Sequence, residues 1–521
     1  MRLFFALVSL ALACSAAYAQ TIPMDTLVMR QVGPGMTYVQ IVAPSVPWSI
    51  DILELDRTNP YLGIEMVEAN DRRAGGYETV SSMAARNDGP EHHVVGAING
   101  DFFGSAGDAT SAGVVGGQMV RRSVGSPSLR PSIGFNAANA ASISLPSVGG
   151  TLLTQSDTLT IKGYNESRTT NALILYNAFQ GATTGTNAYG TEVVIRPTES
   201  WIVNDTVTAV VEQIAVGAGD AAIPDGWAVL SGNGAAATAL GALKVGEQVR
   251  IVATVDPGLP RIEDLISGTP ILIQDGQPYP MSNNSHNRDR HPRTAVGFNA
   301  DTSRIYFMTV DGRQPSSVGM SNFEMRDFMM GLGITDAMGL DGGGSTTMVI
   351  RGEIANSPSS AERPVANGLL AISTAPVGPL EHIQAVPFMS SLFLGESVQI
   401  SVVGADSFYN PVQIDEAALT FRVDPSLGTV TPDGVFTAAA SRDEQTVGYV
   451  HVAYGALTDS VRVALRVVSR ITVDPRTVVT DTLMAVPFTV RATDSGGFSQ
   501  SVPDGRVTWQ VLDPRIGSIS S

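Results

Sequence analysis

Three short stretches combine an acid with glycine where strand-like sequence gives out. "VVGAINGDFFG" (Val94–Gly104) runs into Asn99-Gly100-Asp101, "RIYFMTVDGR" (Arg304–Arg313) into Asp311-Gly312-Arg313, and "DAMGLDGGGS" (Asp336–Ser345) into Asp341 and three glycines. Each apolar run reads as a buried strand that delivers a carboxylate at its end. Three such ends imply one rim where polar groups converge. Asn99 and Asp101 sit two apart, so on a strand they face the same side. Carboxylates so placed can do acid–base work.

Cations are available to the same rim. Arg293 heads the apolar run in "RDRHPRTAVGF" (Arg288–Phe298), Arg363 and Asn367 precede that in "ERPVANGLLAI" (Glu362–Ile372), and Arg313 follows Asp311-Gly312. Guanidinium forks suit phosphate and carboxylate. The bare backbone of "LDGGGSTTMV" (Leu340–Val349) lets an anion come close, and a glycine-rich turn can aim N–H groups at it. Together these describe a site for an anionic, phosphorylated ligand with acids nearby.

Each part also has a plainer reading. Asp–Gly after a strand is a hairpin signal. Ser345 and Thr346 fit as partners of turn N–H groups. Arg293 and Arg363 fit as surface ion pairs. Gly343 and Gly344, however, exceed what a two-residue turn requires. "GGGST" lacks the P-loop lysine and no helix pattern follows it. Nor is it a Gly–x–Ser–x–Gly elbow, which weakens Ser345 as a nucleophile. His92-His93 and the His286/His291 pair read as loop residues, and no His–x–x–x–His pattern supports zinc. Gln118, Met119 and Arg121-Arg122 read as a solvated strand end.

The elements that must position these groups are mostly strands. "MTYVQIVA" (Met36–Ala43) and "WSIDILELD" (Trp48–Asp56) alternate as half-buried strands do. "ETVSSMAARND" (Glu78–Asp88) and "SNFEMRDFMMGLG" (Ser321–Gly333) read as helices. The second opens on a Ser321–Glu324 capping box and sets Phe323, Phe328 and Leu332 near helical spacing. The fold class expected is α+β: a strand-rich domain with a few helices, followed by all-β Ig-like sandwich modules.

The chain has 521 residues, 43% hydrophobic and 16% charged, a globular composition spread over several domains. Its net charge of −17 repels nucleic acid and anionic membrane surfaces. Arg2, the apolar run Leu3–Ala13 and "AYA" at Ala17–Ala19 read as a signal peptide over residues 1–19. That places the protein outside the cell, on its surface or in the periplasm. Lipidation of Cys14, the chain's one cysteine, is the secondary reading. No other segment is apolar enough to span a membrane.

A catalytic domain is expected over residues 21–375, ended by the linker "APVGP" (Ala375–Pro379). A sandwich module follows over 380–468 and a second over 469–521. "LTFRVDPSLGTVTPDG" (Leu419–Gly434) is repeated in "VTWQVLDPRIGSIS" (Val507–Ser520), with Phe421 answering to Trp509 and Asp424-Pro425 to Asp513-Pro514. The second copy stops early, so the sequence reads as part of a longer protein.

"INGDFF" (Ile98–Phe103), "RTAVGF" (Arg293–Phe298), "VDGR" (Val310–Arg313), "GLDGGGST" (Gly339–Thr346) and "RPVANGL" (Arg363–Leu369) occur in the order found in phosphodiester glycosidase domains. Over roughly residues 30–375 the chain resembles that family, to which the lysosomal uncovering enzyme belongs. The stretch from about Gly150 to Pro260 carries no matching motif. The resemblance implies hydrolysis of a sugar-1-phosphodiester at the anomeric bond. Asp101 and Asp341 would be the catalytic carboxylates, with Asp311 next. Arg293, Arg363 and the loop Gly342, Gly343, Gly344 and Ser345 would cradle the phosphate, and Thr294, Arg313 and Thr346 would also bind substrate. Asn99 and Asn367 would fix sugar hydroxyls. No cofactor is implied; a divalent cation on the three aspartates is an alternative use of them. The rival readings are a non-catalytic glycan-binding surface protein and a phosphodiesterase that cuts P–O. Sugar, aglycone and oligomeric state stay open.

Overall fold

The computed structural model describes residues 22–122, 130–137, 140–479, 484–513, 515 and 518–519. The signal-peptide residues, including Cys14, lie outside this range. The fold is α+β and strand-rich, with multiple sheets and few helices.

Two antiparallel sheets build the centre. The first runs Asp25–Gly33, Met36–Ala43, Trp48–Asp56, Arg304–Val310, Arg293–Phe298, Asp336–Gly339, Ile271–Gln274 and Gln277–Pro278 in spatial order. The second runs Glu353–Ile354, Met348–Ile350, His93–Asn99, Asn367–Ser373 and Leu62–Glu68. Their inner faces share one core, in which Leu53, Phe307 and Val296 of the first meet Ile98, Met348 and Leu369 of the second. Both Met36–Ala43 and Trp48–Asp56 form strands at the expected residues.

Both expected helices form. In Val80–Asn87, the Thr79 hydroxyl accepts from Ser82 N–H and caps the first turn. In Asn322–Gly331 the capping box closes both ways between Ser321 and Glu324. Phe328 and Leu332, noted for their spacing, pack on the core only half-buried, and two methionines of the helix go deepest. Met325 and Met329 are fully buried against Ile50, Ile52 and Met308, and Phe323 and Phe328 flank them half-buried. Unbranched methionine fills the uneven space under a twisted sheet better than a ring does.

Between the halves of the central sheets the chain makes a large excursion. Residues 147–256 form most of an eight-stranded sheet with its own core around Val193, Leu230 and Ile251. Beyond residue 380 a smaller all-β unit follows, centred on Phe436, Val461 and Leu465. The linker is not free: Asn410 donates to the Ala375 and Pro376 carbonyls, each at 3.0 Å. Asp424 accepts from Ser426 N–H and Asp513 from Arg515 N–H, at 2.8 and 3.0 Å. No helix among the described residues is long and apolar enough to cross a membrane.

Candidate functional site

The ends of four strands meet at one edge of the two central sheets. Asn99 closes one strand, Arg293 and Asn367 open two others, and Asp341 follows the fourth. Backbone bonds lock them: Asp341 N–H donates to Gly100 O at 2.8 Å, Leu340 N–H to Thr294 O at 2.8 Å, and Gly100 N–H to Asn367 O at 2.9 Å. Side chains complete the lock. The Asn99 amide donates to Asp341 O at 2.6 Å and accepts from the Thr294 hydroxyl at 2.7 Å and from Thr347 N–H at 3.1 Å. Asn367 accepts from Asp101 N–H at 2.8 Å. All three side chains are buried and bonded within the protein. Asn99, Thr294 and Asn367 therefore hold the site together rather than face a sugar.

Asp101 is buried, and one oxygen accepts from Phe102 N–H at 2.8 Å. The other, Oδ2, is buried with no hydrogen-bond partner among the described residues. Burial pushes its carboxyl up to about 7, against the pull of Ser111, Phe102 N–H, Arg121 and Arg130. Arg121 is fully buried and grips Glu68 through two bonds of 2.7 and 2.5 Å. It is not part of a solvated strand end, and neither is buried Met119; only Arg122 is well exposed, with 43% of its side chain open. The sequence reading failed here because an arginine is buried when its carboxylate lies on another strand. Glu68, on the neighbouring edge strand, carried no local signal.

Asp341 is half-buried. Burial raises its carboxyl, while the Ser345 hydroxyl, Arg363 and Gly342 N–H favour the charged form. The glycine loop is a single tight turn, with Gly343 at φ +66°. Its amides are largely occupied: Gly343 N–H donates to Pro292 O at 2.9 Å and Ser345 N–H to Gly342 O at 3.3 Å. The expectation that this turn aims its N–H groups at an anion is therefore not met. The glycines serve close approach instead. A Cβ on Gly342 would lie 2.8 Å from Pro292 O, one on Gly343 3.0 Å from Arg313 Nη2, and one on Gly344 3.6 Å from Arg363 Cδ and Nη1.

Three arginines thus surround the turn, and among the described residues none of them forms a salt bridge. Arg293 donates to the carbonyls of Met320, His286 and Asp289 at 2.8–2.9 Å. Burial, and then Arg313 nearby, bring its guanidinium down to about 10, so it stays charged at neutral pH. Arg313 reaches His291 at 3.5 Å, and Arg363 lies over the Phe103 ring at 5.6 Å. His286 and His291 belong to this cluster, not to an indifferent loop. Burial and then Arg293 lower both, which keeps them neutral. His286 also packs on Phe102, ring centres 6.0 Å apart. Three guanidinium groups thus gather here without a salt bridge among the described residues, with Asp341 near Arg363 and Asp289 near Arg293, and in a chain of net charge −17 they make a local anion site.

Asp311 does not join the other two aspartates in a metal centre. Its carboxylate accepts from Asn356 and from Ser357 N–H at 3.0 and 2.9 Å, and Asn356 also reaches Thr346 O at 3.3 Å. It braces the back of the glycine turn and faces buried Asp51. Thr346 is buried beside it with its hydroxyl unpartnered. Among the described residues no group of three or more His, Cys, Asp or Glu could hold a metal ion. The three-aspartate cation site is thereby corrected.

This geometry stands beside a family match. Residues 197–372 match the phosphodiester glycosidase family. The matched segment holds Arg293, Asp311, Arg313, the glycine turn, Arg363 and Asn367. It starts well inside the stretch that carried no recognisable motif. An 81-residue stretch is 36% identical to the uncharacterized SPbeta prophage-derived protein YomE of Bacillus subtilis (strain 168), covering 15% of this chain and 12% of that protein. The chain therefore spans a small part of the curated relative it matches. A hypothetical protein from Synechocystis is 18% identical, covering 67% of this chain and 64% of that one, with a TM-score of 0.49. The zebrafish N-acetylglucosamine-1-phosphodiester alpha-N-acetylglucosaminidase catalytic domain, auto-inhibited by its pro-peptide, is 16% identical over 68% of this chain and 86% of that one, with a TM-score of 0.34.

Proposed function

We propose that the phosphodiester glycosidase-like domain hydrolyses sugar-1-phosphodiesters at the anomeric bond, releasing free sugar and a phosphomonoester, and that the protein works after export. The observation that carries this reading is the set of arginines, Arg293, Arg313 and Arg363, around a turn that begins at Asp341. A phosphate leaving group is already acidic and needs little protonation. It needs its departing charge met, and the arginines supply that. Asp341, half-buried at the start of the turn, would be the carboxylate that stabilises an oxocarbenium-like sugar. Asp101 has a free buried oxygen and a carboxyl pushed up to about 7. That is the range in which a general base for water works best at neutral pH. Burial of Oδ2 means that water or a substrate hydroxyl would be its first partner. Export rests on the N-terminal signal pattern.

The test is product analysis on a panel of methyl sugar-1-phosphodiesters in oxygen-labelled water. Label in the sugar is expected. Label in the phosphate would mean P–O cleavage and overturn the reading. Binding without turnover on every diester would reduce the domain to a glycan-binding module.

A further inference from the structure

The excursion of residues 147–256 borders a cleft separate from the turn at Gly343. It has a volume of about 690 Å³ and lies between Arg72–Gly75, on the central unit, and the loops around Arg168 and Asn187. Arg168 is held by the Ser231 hydroxyl at 2.7 Å and by Asn187 O and Oδ1 at 2.7 and 2.8 Å, with no carboxylate. Arg72 forms no salt bridge among the described residues. The two acids in the lining are already neutralised: Glu166 by Arg122 at 2.8 Å, and Asp108 by Arg73 and Arg121 at 3.2 and 3.3 Å. The lining therefore holds three arginines against two carboxylates, with hydroxyl and amide groups around them; a third carboxylate, buried Glu192, lies behind it and accepts from the Thr184, Thr186 and Ser231 hydroxyls.

The rim that carries Arg72 is fixed. Arg73 N–H donates to Phe179 O at 2.9 Å, Gly76 N–H to Ala106 O at 3.0 Å, and Asn70 to Gly75 O at 2.9 Å. The same segment reaches the first site. Five residues after Arg72, Tyr77 packs on Phe103 with ring centres 5.4 Å apart, and Phe103 lies under Arg363. A fully extended chain of that length covers at most about 17 Å. One short rigid rim thus has an arginine-lined cleft at one end and the arginine cluster at the other.

We propose that this cleft is a second anion subsite, which takes a distal phosphate of an oligomeric substrate whose sugars are joined by 1-phosphodiesters. The inference rests on the proposed reaction for its substrate class, and its test does not depend on turnover. Arg168 is bonded to structure, so Arg72, exposed and unpaired, is the position to change. The full chain carrying Asp341→Asn is titrated calorimetrically, with and without Arg72→Glu. The probes are an oligomer of several sugar-1-phosphate repeats and a single methyl sugar-1-phosphodiester. Arg72→Glu should weaken the oligomer about tenfold or more, the scale of one lost charge-assisted contact, and leave the single diester within twofold. Arg72→Ala should give a smaller loss in the same direction. Equal losses on both probes, or none on the oligomer, would overturn the subsite. A chain that turns over no diester yet shows the oligomer-specific loss would refute the proposed reaction and keep the subsite.

Discussion

Gly343 and Arg313 fit against each other so closely that a Cβ on the glycine would stand 3.0 Å from the guanidinium Nη2. The glycine also sits at φ +66°, where L side chains are strained by roughly 1–2 kcal/mol. Gly343→Ala should therefore lower the melting temperature by a few degrees and push Arg313 away from the turn. Gly344 has no positive φ, and its Cβ would make ordinary contact with Arg363. Gly344→Ala should fold and bind inorganic phosphate nearly as the parent does. Equal behaviour of the two variants in melts and in phosphate inhibition would remove the close-approach argument.

Arg293 and Arg313 separate binding from folding. Arg313 is exposed, and beside its packing on Gly343 its side chain has one hydrogen-bond contact among the described residues, to the His291 ring at 3.5 Å. Arg313→Ala should weaken phosphate inhibition by about ten- to a hundredfold, the worth of one charge-assisted contact, with little change in melting. Arg293 ties three carbonyls together from a buried position. Arg293→Ala should lose phosphate affinity and also about 1–3 kcal/mol of stability, because those acceptors lose their donor. If neutral sugars lost as much affinity as phosphate in Arg313→Ala, the cluster would not be an anion site.

Asp101 and Asp341 should each cost at least about a hundredfold in turnover when changed to asparagine. Only Asp101 should also reshape the pH profile. As a base pushed up to about 7, it is inactive while protonated. The rate should rise with pH and level off above about 7. Residual activity in Asp101→Asn should lack that limb. A profile with the same limb in both proteins would assign it to another group.

The strand ends were legible because burial and chemistry coincide there. An apolar run that stops at Asn99-Gly100-Asp101 is at once a strand and its mouth. Both helices were legible, the second from its cap, and the Ser321–Glu324 box closed as read. The roles within the site were not legible. Asn99, Thr294 and Asn367 looked like ligand-binding groups, but their partners lie on strands up to 266 residues away in sequence. Buried Arg121 was missed because its partner Glu68 is 53 residues distant on another strand. Asp311 looked equivalent to Asp341, yet its strand end faces Asp51 and Ser357. Strand pairing decides each of these, and one sequence does not display its pairing. The arginine-lined cleft was invisible for the same reason, being made where two folded units meet.

Asp51 and Asp311 are a buried acid pair that should tune stability. Asp51 accepts from the Tyr38 hydroxyl at 2.6 Å and is raised by burial and then by Asp311. Burial pushes Asp311 up to about 7. Both acids bind protons more tightly folded than unfolded. Their stabilising contribution is then complete below the unfolded carboxylate range near 4 and is lost as pH rises through about 7. Melting temperature should fall by several degrees over that interval. In Asp51→Asn the fall should be shallower, since an amide keeps the Tyr38 contact without a charge. An unchanged slope would show that the pair does not control it.

The unit beyond residue 380 should stabilise the central sheets without taking part in the chemistry. Its Phe388 packs on Tyr38, ring centres 6.0 Å apart, and under Arg30 at 4.8 Å, while Arg30 is also paired with Asp459. Tyr38 in turn holds Asp51, which stands in front of Asp311 behind the glycine turn. A chain ending at Thr374 would uncover Tyr38 and leave Arg30 without its carboxylate. None of the proposed catalytic or phosphate-holding groups lies beyond Thr374. The shortened protein should therefore keep kcat within a few-fold and melt cooperatively, but several degrees below the full chain. Phe388→Ala in the full chain should reproduce part of that drop, because large-to-small changes cost about 3–5 kcal/mol at a fully buried ring and less at a half-buried one. An identical melting temperature for the shortened and full chains would mean that the contact adds no stability. Loss of activity in a shortened chain that still folds would mean that the C-terminal unit helps to build the site.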